Sequence, residues 1–363
     1  MKYGRSGIYG YYMSILEGKR GFSYAVAKPG LFLGSLLYGL VVKARFFLYE
    51  KGLFKSETFP CRVISVGNLV AGGAGKTPVV IMLAKMLAAG KKKAVIVSRG
   101  YGRTAKRGRV TVVTDGKRML VQNPGEAGDE PFMMAQKLEG VPVVVCGDKL
   151  KACRHAVKEF SPDFIILDDG FQSLKLSRWL GLLVLNCSNP FGNCKLLPAG
   201  FLREPVKNLR RAGLIMLTRC EQASAQEKEA LLKIIAEHCG GVQVIECSYA
   251  VTGMSALTDN ETRDAESLKG AEVTLVSGIG MPGSFEHTVK SLGADKVRVL
   301  AFPDHHRYDS RDVERIEKAA GTVVTTEKDG VSLKGAVKRK IWVLKIEAQI
   351  TKGREALVSR LFS

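Results

Sequence analysis

Short apolar runs alternate with helical patterns along most of the chain after residue 60. The apolar runs show no alternation of polar and apolar residues, which is typical of strands whose two faces are both covered by helices. Helical patterns lie near 78–89, 129–138, 149–159 and 226–238. Strands are predicted at Arg62–Val66, Ala94–Ser98, Val110–Val113, Val141–Cys146, Phe164–Leu167, Leu182–Leu185 and Leu214–Leu217. The pattern predicts a doubly wound, mostly parallel α/β sheet, in which ligands bind at the carboxyl ends of the strands.

The strand and helix pattern restarts at about residue 245. Strands are predicted at Val273–Ser277, Val297–Ala301, Thr322–Thr325 and Ile341–Ile346, and helices at Gly283–Leu292 and Ser310–Ala319. The polar segment Thr258–Asp264 is typical of a loop. We therefore predict a nucleotide-binding core domain over residues 56–245 and a smaller α/β domain over residues 246–363. A cleft between them is a natural place for two substrates to meet.

The first 55 residues have a different pattern. Leu31–Val42 is an uncharged apolar run of twelve residues, with Lys28 before it and Lys43 and Arg45 after it. It is shorter than the ~20 residues that span a bilayer, and no cleavage site of a signal peptide follows it. Cationic flanks and aromatic ends indicate a helix that lies in the membrane interface. We predict a membrane-associated segment over residues 1–55, and a buried core helix is the alternative.

The formal net charge of +20 is concentrated in two segments. Residues 1–55 carry a net charge of +7, and residues 91–118 carry +9. Such a local excess predicts an anionic partner: nucleic acid, anionic lipid headgroups or a phosphorylated substrate. Aromatic residues do not interleave with the charge at 91–118, as a stacking surface for nucleic acid requires. We therefore predict that the anionic partner is a membrane surface and not a nucleic acid.

The eight cysteines are scattered without metal-ligand spacing, as in a reducing compartment.

A glycine-rich segment, SVGNLVAGGAGKTP, joins the first predicted strand to the first predicted helix of the core. Backbone N–H groups of such a loop and the N-terminus of the following helix bind phosphates. Lys76 would reach the β- and γ-phosphates, and the Thr77 hydroxyl would ligate Mg²⁺. The G-x-x-x-x-G-K-[ST] pattern expects glycine where Val70 stands, and an ordinary glycine-rich turn is the alternative. We predict a sheet of the P-loop NTPase type with an ATP site formed by Val70, Ala71, Gly72, Gly73, Ala74, Gly75, Lys76 and Thr77.

Carboxylates stand at two other places in the predicted core, one at a strand end and one at a helix start. Asp168 and Asp169 come directly after the apolar strand Phe164–Leu167. In phosphate-loop enzymes an aspartate in this position lies beside the metal, whereas two turn-forming aspartates are the alternative. Asp129 and Glu130 stand at a helix start, where capping is locally the stronger interpretation. Asp129 is nevertheless a candidate base.

Two further strand ends and one loop, which contains Arg203 and Glu204, carry candidate residues. His305 and His306 follow the strand that ends at Ala301. A histidine at a domain cleft orients a carboxylate or exchanges its proton, and a histidine pair on a surface loop is the alternative. Arg99 and Arg203, the latter followed by Glu204, suit phosphate or another anionic substrate. Solvated basic loops are the alternative for both arginines.

Seven short strings occur in a fixed order between about residues 62 and 329. They are VGNLVAGGAGKTP, SRGYGR, AGDEP, DDGFQ, FGNCKLLPAGFLREP, FPDHH and TTEKD. Together they resemble one family, the tetraacyldisaccharide 4′-kinases, which phosphorylate the lipid A precursor in Gram-negative bacteria. The resemblance implies transfer of the ATP γ-phosphoryl group to the 4′-hydroxyl of a tetraacylated glucosamine disaccharide 1-phosphate, giving lipid IVA. It also implies an enzyme on the cytoplasmic face of the bacterial inner membrane.

The same resemblance implies roles for single residues. Asp129 would be the base near the 4′-hydroxyl, with His305 as its partner from the second domain. Lys76 would act on the transferring phosphoryl group. The remaining candidates are Thr77, Glu130, Asp168 and Asp169 for Mg²⁺, and Arg99, Arg203 and Glu204 for substrate binding.

Other functions account for fewer of these features. A membrane-associated P-loop ATPase that does not phosphorylate lipid explains the loop and the two aspartates, but it leaves Asp129 and His305 unused. A GTPase is less favoured because the sequence contains no N-K-x-D string for base recognition. A nucleic-acid-binding ATPase explains the basic segment at 91–118 but not the apolar N-terminus.

Overall fold

The structure, a computed structural model, describes residues 22–106, 108–259 and 261–362, with side-chain burial described from residue 28. Predictions that concern residues 1–21 of the basic N-terminal segment lie outside the described residues. Residues 56–245 are called the first half of the molecule, and residues 246–363 are called the second half.

A single mixed sheet of thirteen strands runs through both halves. The strands are β1 Arg62–Gly67, β2 Ala94–Ser98, β3 Thr111–Thr114, β4 Val143–Val145, β5 Phe164–Leu167, β6 Leu180–Asn186, β7 Leu214–Thr218, β8 Val244–Ala256, β9 Thr262–Arg263, β10 Glu272–Ser277, β11 Lys296–Ala301, β12 Thr322–Thr326 and β13 Trp342–Lys352. Their order is β11-β10-β12-β13-β8-β7-β6-β1-β5-β2-β4-β3, and β9 pairs with β8 outside this path. Most neighbours are parallel, whereas β3 pairs antiparallel with β4 and β13 antiparallel with β8.

Helices cover the sheet, and one of them precedes it. They are α1 Phe22–Glu50, α2 Lys76–Ala89, α3 Pro124–Ala127, α4 Asp129–Lys137, α5 Lys149–Phe160, α6 Ala225–His238, α7 Pro282–Ser291, α8 Ser310–Glu317, α9 Glu327–Leu333 and α10 Arg354–Phe362. Short 3-10 turns lie at Val206–Arg211, Cys220–Gln222 and Ala265–Leu268. The predicted helices are all present, the apolar N-terminal helix among them as α1, and α3, α9 and α10 add to them.

Strand β5 shows why the apolar runs lack alternation. Phe164 and Ile166 pack into the core on one face of the sheet, and Ile165 and Leu167 pack into the core on the other face. Successive side chains of a strand point to opposite faces, so a strand covered on both sides must be apolar throughout. The predicted doubly wound, mostly parallel sheet is confirmed.

Strand β8 crosses the predicted domain boundary at residue 245. It runs parallel to β7 of the first half and pairs antiparallel with β13, where Val251 lies opposite Ile346. Helix α10 then returns to the first half, since Leu357 and Leu361 belong to the core that also contains Ile64 of β1. The sheet is therefore continuous between the halves, and the division into two domains stays a prediction.

Helix α1 packs on the first half with one face and leaves the other face uncovered. The Ser35 hydroxyl donates to the Leu196 carbonyl at 3.0 Å, and the Tyr38 hydroxyl donates to the Arg203 carbonyl at 2.9 Å. The uncovered face carries apolar side chains that are 52–66 % exposed: Phe32, Leu33, Leu36, Leu37, Leu40 and Val41.

This exposure does not fit the alternative of a buried core helix. Lys28–Glu50 has a mean hydropathy of 1.7 and is long and apolar enough to cross a membrane, by length and composition. The helix extends well beyond the twelve-residue run on which the prediction rested. An apolar helix near the N-terminus is compatible with membrane association.

Candidate active site

A cleft of about 1370 Å³ opens at the carboxyl ends of the strands, between the two halves and beside α1. Tyr38 and Arg45 of α1 lie in its wall. Of the predicted site residues, those that line it are Gly72, Gly73, Ala74, Gly75, Lys76, Thr77, Arg99, Glu130, Asp168, Asp169, Arg203 and His305. The structure therefore brings together residues that lie more than 200 positions apart in the sequence.

The loop between β1 and α2 ends in a glycine with a left-handed backbone conformation. Gly75 has φ +76°, a left-handed conformation that glycine adopts without strain. The Tyr249 hydroxyl of the second half donates to the Gly75 carbonyl at 2.9 Å. A Cβ atom at Gly75 would lie 1.9 Å from that hydroxyl oxygen. The position therefore requires glycine for two independent reasons.

Lys76 and Asp169 meet at the start of α2. The Lys76 ammonium lies 3.3 Å from Asp169 Oδ1 and donates to Asn68 Oδ1 at 3.1 Å. Both oxygens of Asp169 also accept from the Arg203 guanidinium, at 2.9 and 2.8 Å. Burial raises the pKa of Asp169, but Lys76, Arg203 and Lys149 outweigh it and hold this pKa far below its ordinary value. Asp169 is therefore ionised at neutral pH.

Asp168 lies deeper, with 4 % of its surface exposed. Its Oδ2 accepts from the Ser98 hydroxyl at 2.8 Å, whereas Oδ1 is buried and has no hydrogen-bond partner. Burial and the negative charges of Glu130 and Asp169 raise the pKa of Asp168 to about 6. A buried carboxylate oxygen without a partner is a costly arrangement, which a bound cation would relieve.

Asp168, Asp169 and Glu130 are called the acidic group, and Glu130 links it to the loop. Its Oε2 accepts from the Thr77 hydroxyl at 3.1 Å. Among the described residues, no three acidic, histidine or cysteine side chains are grouped closely enough to hold a metal by themselves. Thr77, Glu130 and the aspartates therefore form at most part of a metal site.

Val70 and Ala71 do not line the cleft. They belong to the first part of the loop and pair with the segment 196–203. The Ala71 N–H donates to the Phe201 carbonyl at 2.7 Å, and Val70 forms an isolated antiparallel bridge with Leu202. The segment 196–203 thus holds the front of the phosphate loop, and α1 packs on the same segment.

Glu204 is buried, with 1 % of its surface exposed, and does not reach the cleft. Its Oε2 accepts from the Asn208 amide at 2.8 Å and from the Arg211 guanidinium. The structure therefore places Glu204 where it positions the loop that carries Arg203. A direct contact with substrate, as predicted for it, does not fit this burial.

Asp129 and His305 occupy different settings. Asp129 Oδ1 accepts from the Ser332 hydroxyl of α9 at 2.9 Å, and the residue does not belong to the cleft wall. His305 lines the cleft, packs its ring against Tyr101 at 4.5 Å and has a left-handed φ of +58°. Its Nδ1 is buried without a partner. A strained backbone and an unpaired buried nitrogen are typical of functional positions.

His306 is part of the packing instead. Its Nε2 lies 2.6 Å from Asp312 Oδ2, and its ring stacks on Phe302. Only His305 of the pair therefore faces the cleft.

Among the lysines of the cleft that were not predicted from the sequence, two lie beside predicted acidic residues. Lys149 donates to the main-chain carbonyls of both Asp168 and Asp169. Lys328 binds Asp304 and lies 3.7 Å from Glu130. Both follow strand ends, β4 and β12, so the rule that ligands bind at strand carboxyl ends would have indicated them.

Comparison with known proteins shows the family to which this chain is similar. The family model described as tetraacyldisaccharide-1-P 4′-kinase matches residues 28–363. Tetraacyldisaccharide 4′-kinases of Anaeromyxobacter sp. (strain Fw109-5) and Geobacter sulfurreducens are 41 % and 39 % identical, over 93 % and 85 % of this chain and 91 % and 85 % of theirs.

The crystal structure of LpxK from Aquifex aeolicus in complex with ATP superposes with a TM-score of 0.73 at 34 % identity, over 92 % of this chain and 98 % of that one. Family model, relatives and solved structure therefore agree over most of the chain. The chain belongs to the tetraacyldisaccharide-1-P 4′-kinase family, and its enzymatic activity is that of a kinase.

Proposed function

We propose that this kinase transfers the γ-phosphoryl group of ATP to the 4′-hydroxyl of a tetraacylated glucosamine disaccharide 1-phosphate, giving lipid IVA in lipid A biosynthesis. The observation that carries the proposal is one cleft that contains the Lys-Thr loop, the acidic group and His305, with α1 in its wall. An ATP site that opens beside an exposed apolar helix suits a lipid acceptor.

The nucleotide would bind on the loop. Gly72 to Thr77 line the cleft at the N-terminus of α2, where backbone N–H groups and the helix dipole attract phosphates. Lys76 would act on the γ-phosphoryl group after exchanging its contact with Asp169 for phosphate oxygens. Val70 and Ala71 would contribute by holding the loop in place.

The acidic group fits a magnesium ion. Thr77, Glu130, Asp168 and Asp169 offer the oxygen ligands that Mg²⁺ prefers, and Asp168 Oδ1 has no other partner. Magnesium is usually held by one or two carboxylates together with substrate phosphates, which agrees with the incomplete group of protein ligands. A bound Mg²⁺ would neutralise charge on the transferring phosphoryl group.

Asp129 would accept the proton of the 4′-hydroxyl, with His305 as its partner. Asp129 adjoins Glu130 in the sequence, and the second half contacts both residues, through Ser332 and Lys328. The proposed base is thus held beside the proposed metal site by the half that carries His305. Phosphoryl transfer depends mainly on such positioning.

The acceptor lipid would be held by basic side chains and the membrane. Arg99 is exposed and lines the cleft, which suits an anionic group of the lipid. Arg203 would keep Asp169 in place, while Glu204 positions its loop. We further propose that α1 and the basic residues before it bind an anionic membrane surface at the cytoplasmic face of the bacterial inner membrane.

The test is transfer of label from γ-labelled ATP to the detergent-dispersed disaccharide lipid in the presence of Mg²⁺. We expect label in the lipid, none after chelation of Mg²⁺ by EDTA, and recovery when Mg²⁺ is restored. Lys76→Ala should abolish transfer. ATP hydrolysis that is indifferent to the lipid would instead support the alternative of a membrane-associated ATPase.

A further inference from the structure

The segment Thr326–Asp329, part of the TTEKD string, lies at the start of α9 and joins the two halves of the molecule. Glu327 binds Lys137 of α4, with Nζ 2.7 Å from Oε1. Lys328 binds Asp304 of the second half and approaches Glu130 of the first half. Each charged side chain of the segment therefore has a defined partner.

Lys328 lines the cleft and approaches the start of α2 through Glu130. Its ammonium lies 3.7 Å from Glu130 Oε1, and the other oxygen of the same carboxylate accepts from the Thr77 hydroxyl at 3.1 Å. One carboxylate therefore separates Lys328 from Thr77, which lies in the first turn of α2. Only 12 % of the Lys328 side chain is exposed.

The ammonium group of Lys328 is enclosed between two carboxylates, those of Asp304 and Glu130. An enclosed cation interacts more strongly with phosphate oxygens than an exposed one, because the local dielectric is lower. An enclosed ammonium group in this position is suited to stabilise negative charge.

Asp329, the residue after Lys328, holds the start of α9 in place. Its Oδ1 accepts from the Gly278 N–H at 3.0 Å and from the Tyr308 hydroxyl at 2.9 Å, and its Oδ2 accepts from the Thr326 hydroxyl at 2.6 Å. The His305 N–H donates to the Gly278 carbonyl at 3.2 Å. Asp329 therefore ties the start of α9 to the loop that carries His305.

We propose that Lys328 is a catalytic residue whose ammonium group contacts the γ-phosphoryl group in the transition state, and that Asp304 and Asp329 are positioning residues for it. The inference rests on the proposed function and adds a cation from the second half to Lys76 of the loop. The 4′-oxygen bonds to the γ-phosphorus while the bond to the bridging oxygen breaks, and that oxygen leaves with ADP. The hydroxyl proton passes to Asp129.

The experiment compares Lys328→Met with the wild type and with Lys228→Met. Lys228 forms a half-buried ion pair with Glu246 that lies outside the cleft wall. We expect Lys328→Met to lower kcat by about 100-fold or more, because it removes a charge that acts in the transition state. The KM for ATP and the Kd of a non-hydrolysable analogue should change less than about threefold. Lys228→Met should keep the kcat of the wild type.

Two results would overturn the inference. One is a kcat of Lys328→Met close to that of the wild type. The other is a rise in the Kd for ATP with kcat retained at saturation, which would limit Lys328 to ground-state binding. Absence of lipid phosphorylation by the wild-type protein would instead remove the proposed function itself, so the two failures are distinguishable.

A second variant covers loss of folding. Lys328→Met leaves the Asp304 carboxylate without its partner, which is destabilising by itself. Lys328→Met combined with Asp304→Asn removes both charges. A low kcat with a wild-type unfolding midpoint supports the inference, whereas recovery of kcat would show that Lys328 only neutralises Asp304.

Discussion

At the scale of single residues, the clearest expectation concerns Asp129. Replacing it with alanine removes the proposed base, and removal of general-base catalysis costs about 10²- to 10⁴-fold. We expect Asp129→Ala to lose turnover of the lipid while it still binds ATP, because the residue does not line the cleft in which the loop is proposed to bind ATP. Single-turnover phosphorylation and calorimetric ATP binding measure the two properties.

Ser332→Ala is the matched control for Asp129. It removes the hydrogen bond to Asp129 Oδ1 but leaves the carboxylate. Activity close to that of the wild type in this control, with large loss in Asp129→Ala, supports a base. Equal losses of turnover and ATP binding in Asp129→Ala would show that the residue only supports the fold.

Gly75 permits a second test at this scale. Gly75→Ala must adopt a left-handed conformation, which costs an L-residue roughly 1–2 kcal/mol, and its Cβ atom would overlap the Tyr249 hydroxyl. Gly335→Ala is the control, because Gly335 has φ +80° with open space around it. We expect both variants to lower the midpoint of urea unfolding, but only Gly75→Ala to weaken ATP binding, by at least about tenfold. Unchanged ATP affinity in Gly75→Ala would contradict this role of the loop.

At the scale of elements, the exposed face of α1 is open to direct test. Leu36→Glu combined with Leu40→Glu places two charges on the uncovered face and leaves the contacts of Ser35 and Tyr38 intact. Burial of a leucine side chain contributes roughly 2 kcal/mol, so we expect binding to anionic vesicles to fall at least about 100-fold. Vesicle co-sedimentation measures it, and Leu232→Glu on α6 is the control. Undiminished sedimentation would exclude α1 as the membrane contact.

The elements also show how far sequence patterns reach. The bounds of buried strands such as β5 were predicted to the residue, because a short apolar run bounded by polar turn residues is typical of a strand that is buried on both faces. The covered face of α1 was not predictable, since the helix is apolar all round and its partners at Leu196 and Arg203 are distant in sequence. Strand β8 was missed because it is half-buried along most of its length.

Residues of the cleft were predictable where a local sequence motif contains them. This holds for Lys76, Thr77, Asp168 and Asp169. Whether a side chain faces the cleft depends on long-range contacts, and these placed Glu204 in the interior. Long-range contacts also brought Lys328 within reach of Glu130, nearly 200 residues away in the chain.

At the scale of the whole molecule, one ion pair between the two halves should contribute to the free energy of unfolding. Lys137 and Glu327 are both mostly buried, and the Lys137 ammonium also donates to the Ile346 carbonyl at 3.2 Å. Removing one partner leaves a charge with reduced solvation, so we expect Lys137→Met and Glu327→Gln each to lower the free energy of unfolding by about 1–3 kcal/mol. The double variant should lose less than the sum, since it leaves no unpaired charge.

Urea unfolding of the wild type, both single variants and the double variant measures this coupling. Lys233→Met is the control, because Lys233 and Glu229 form an exposed pair within one helix, and such pairs contribute little. Since Glu327 immediately precedes Lys328, weakening this pair should also loosen the lysine at the phosphate end of the cleft. We expect Glu327→Gln to lower kcat more than it raises the KM for ATP. Strict additivity of the unfolding free energies would show that Lys137 and Glu327 do not stabilise each other across the two halves.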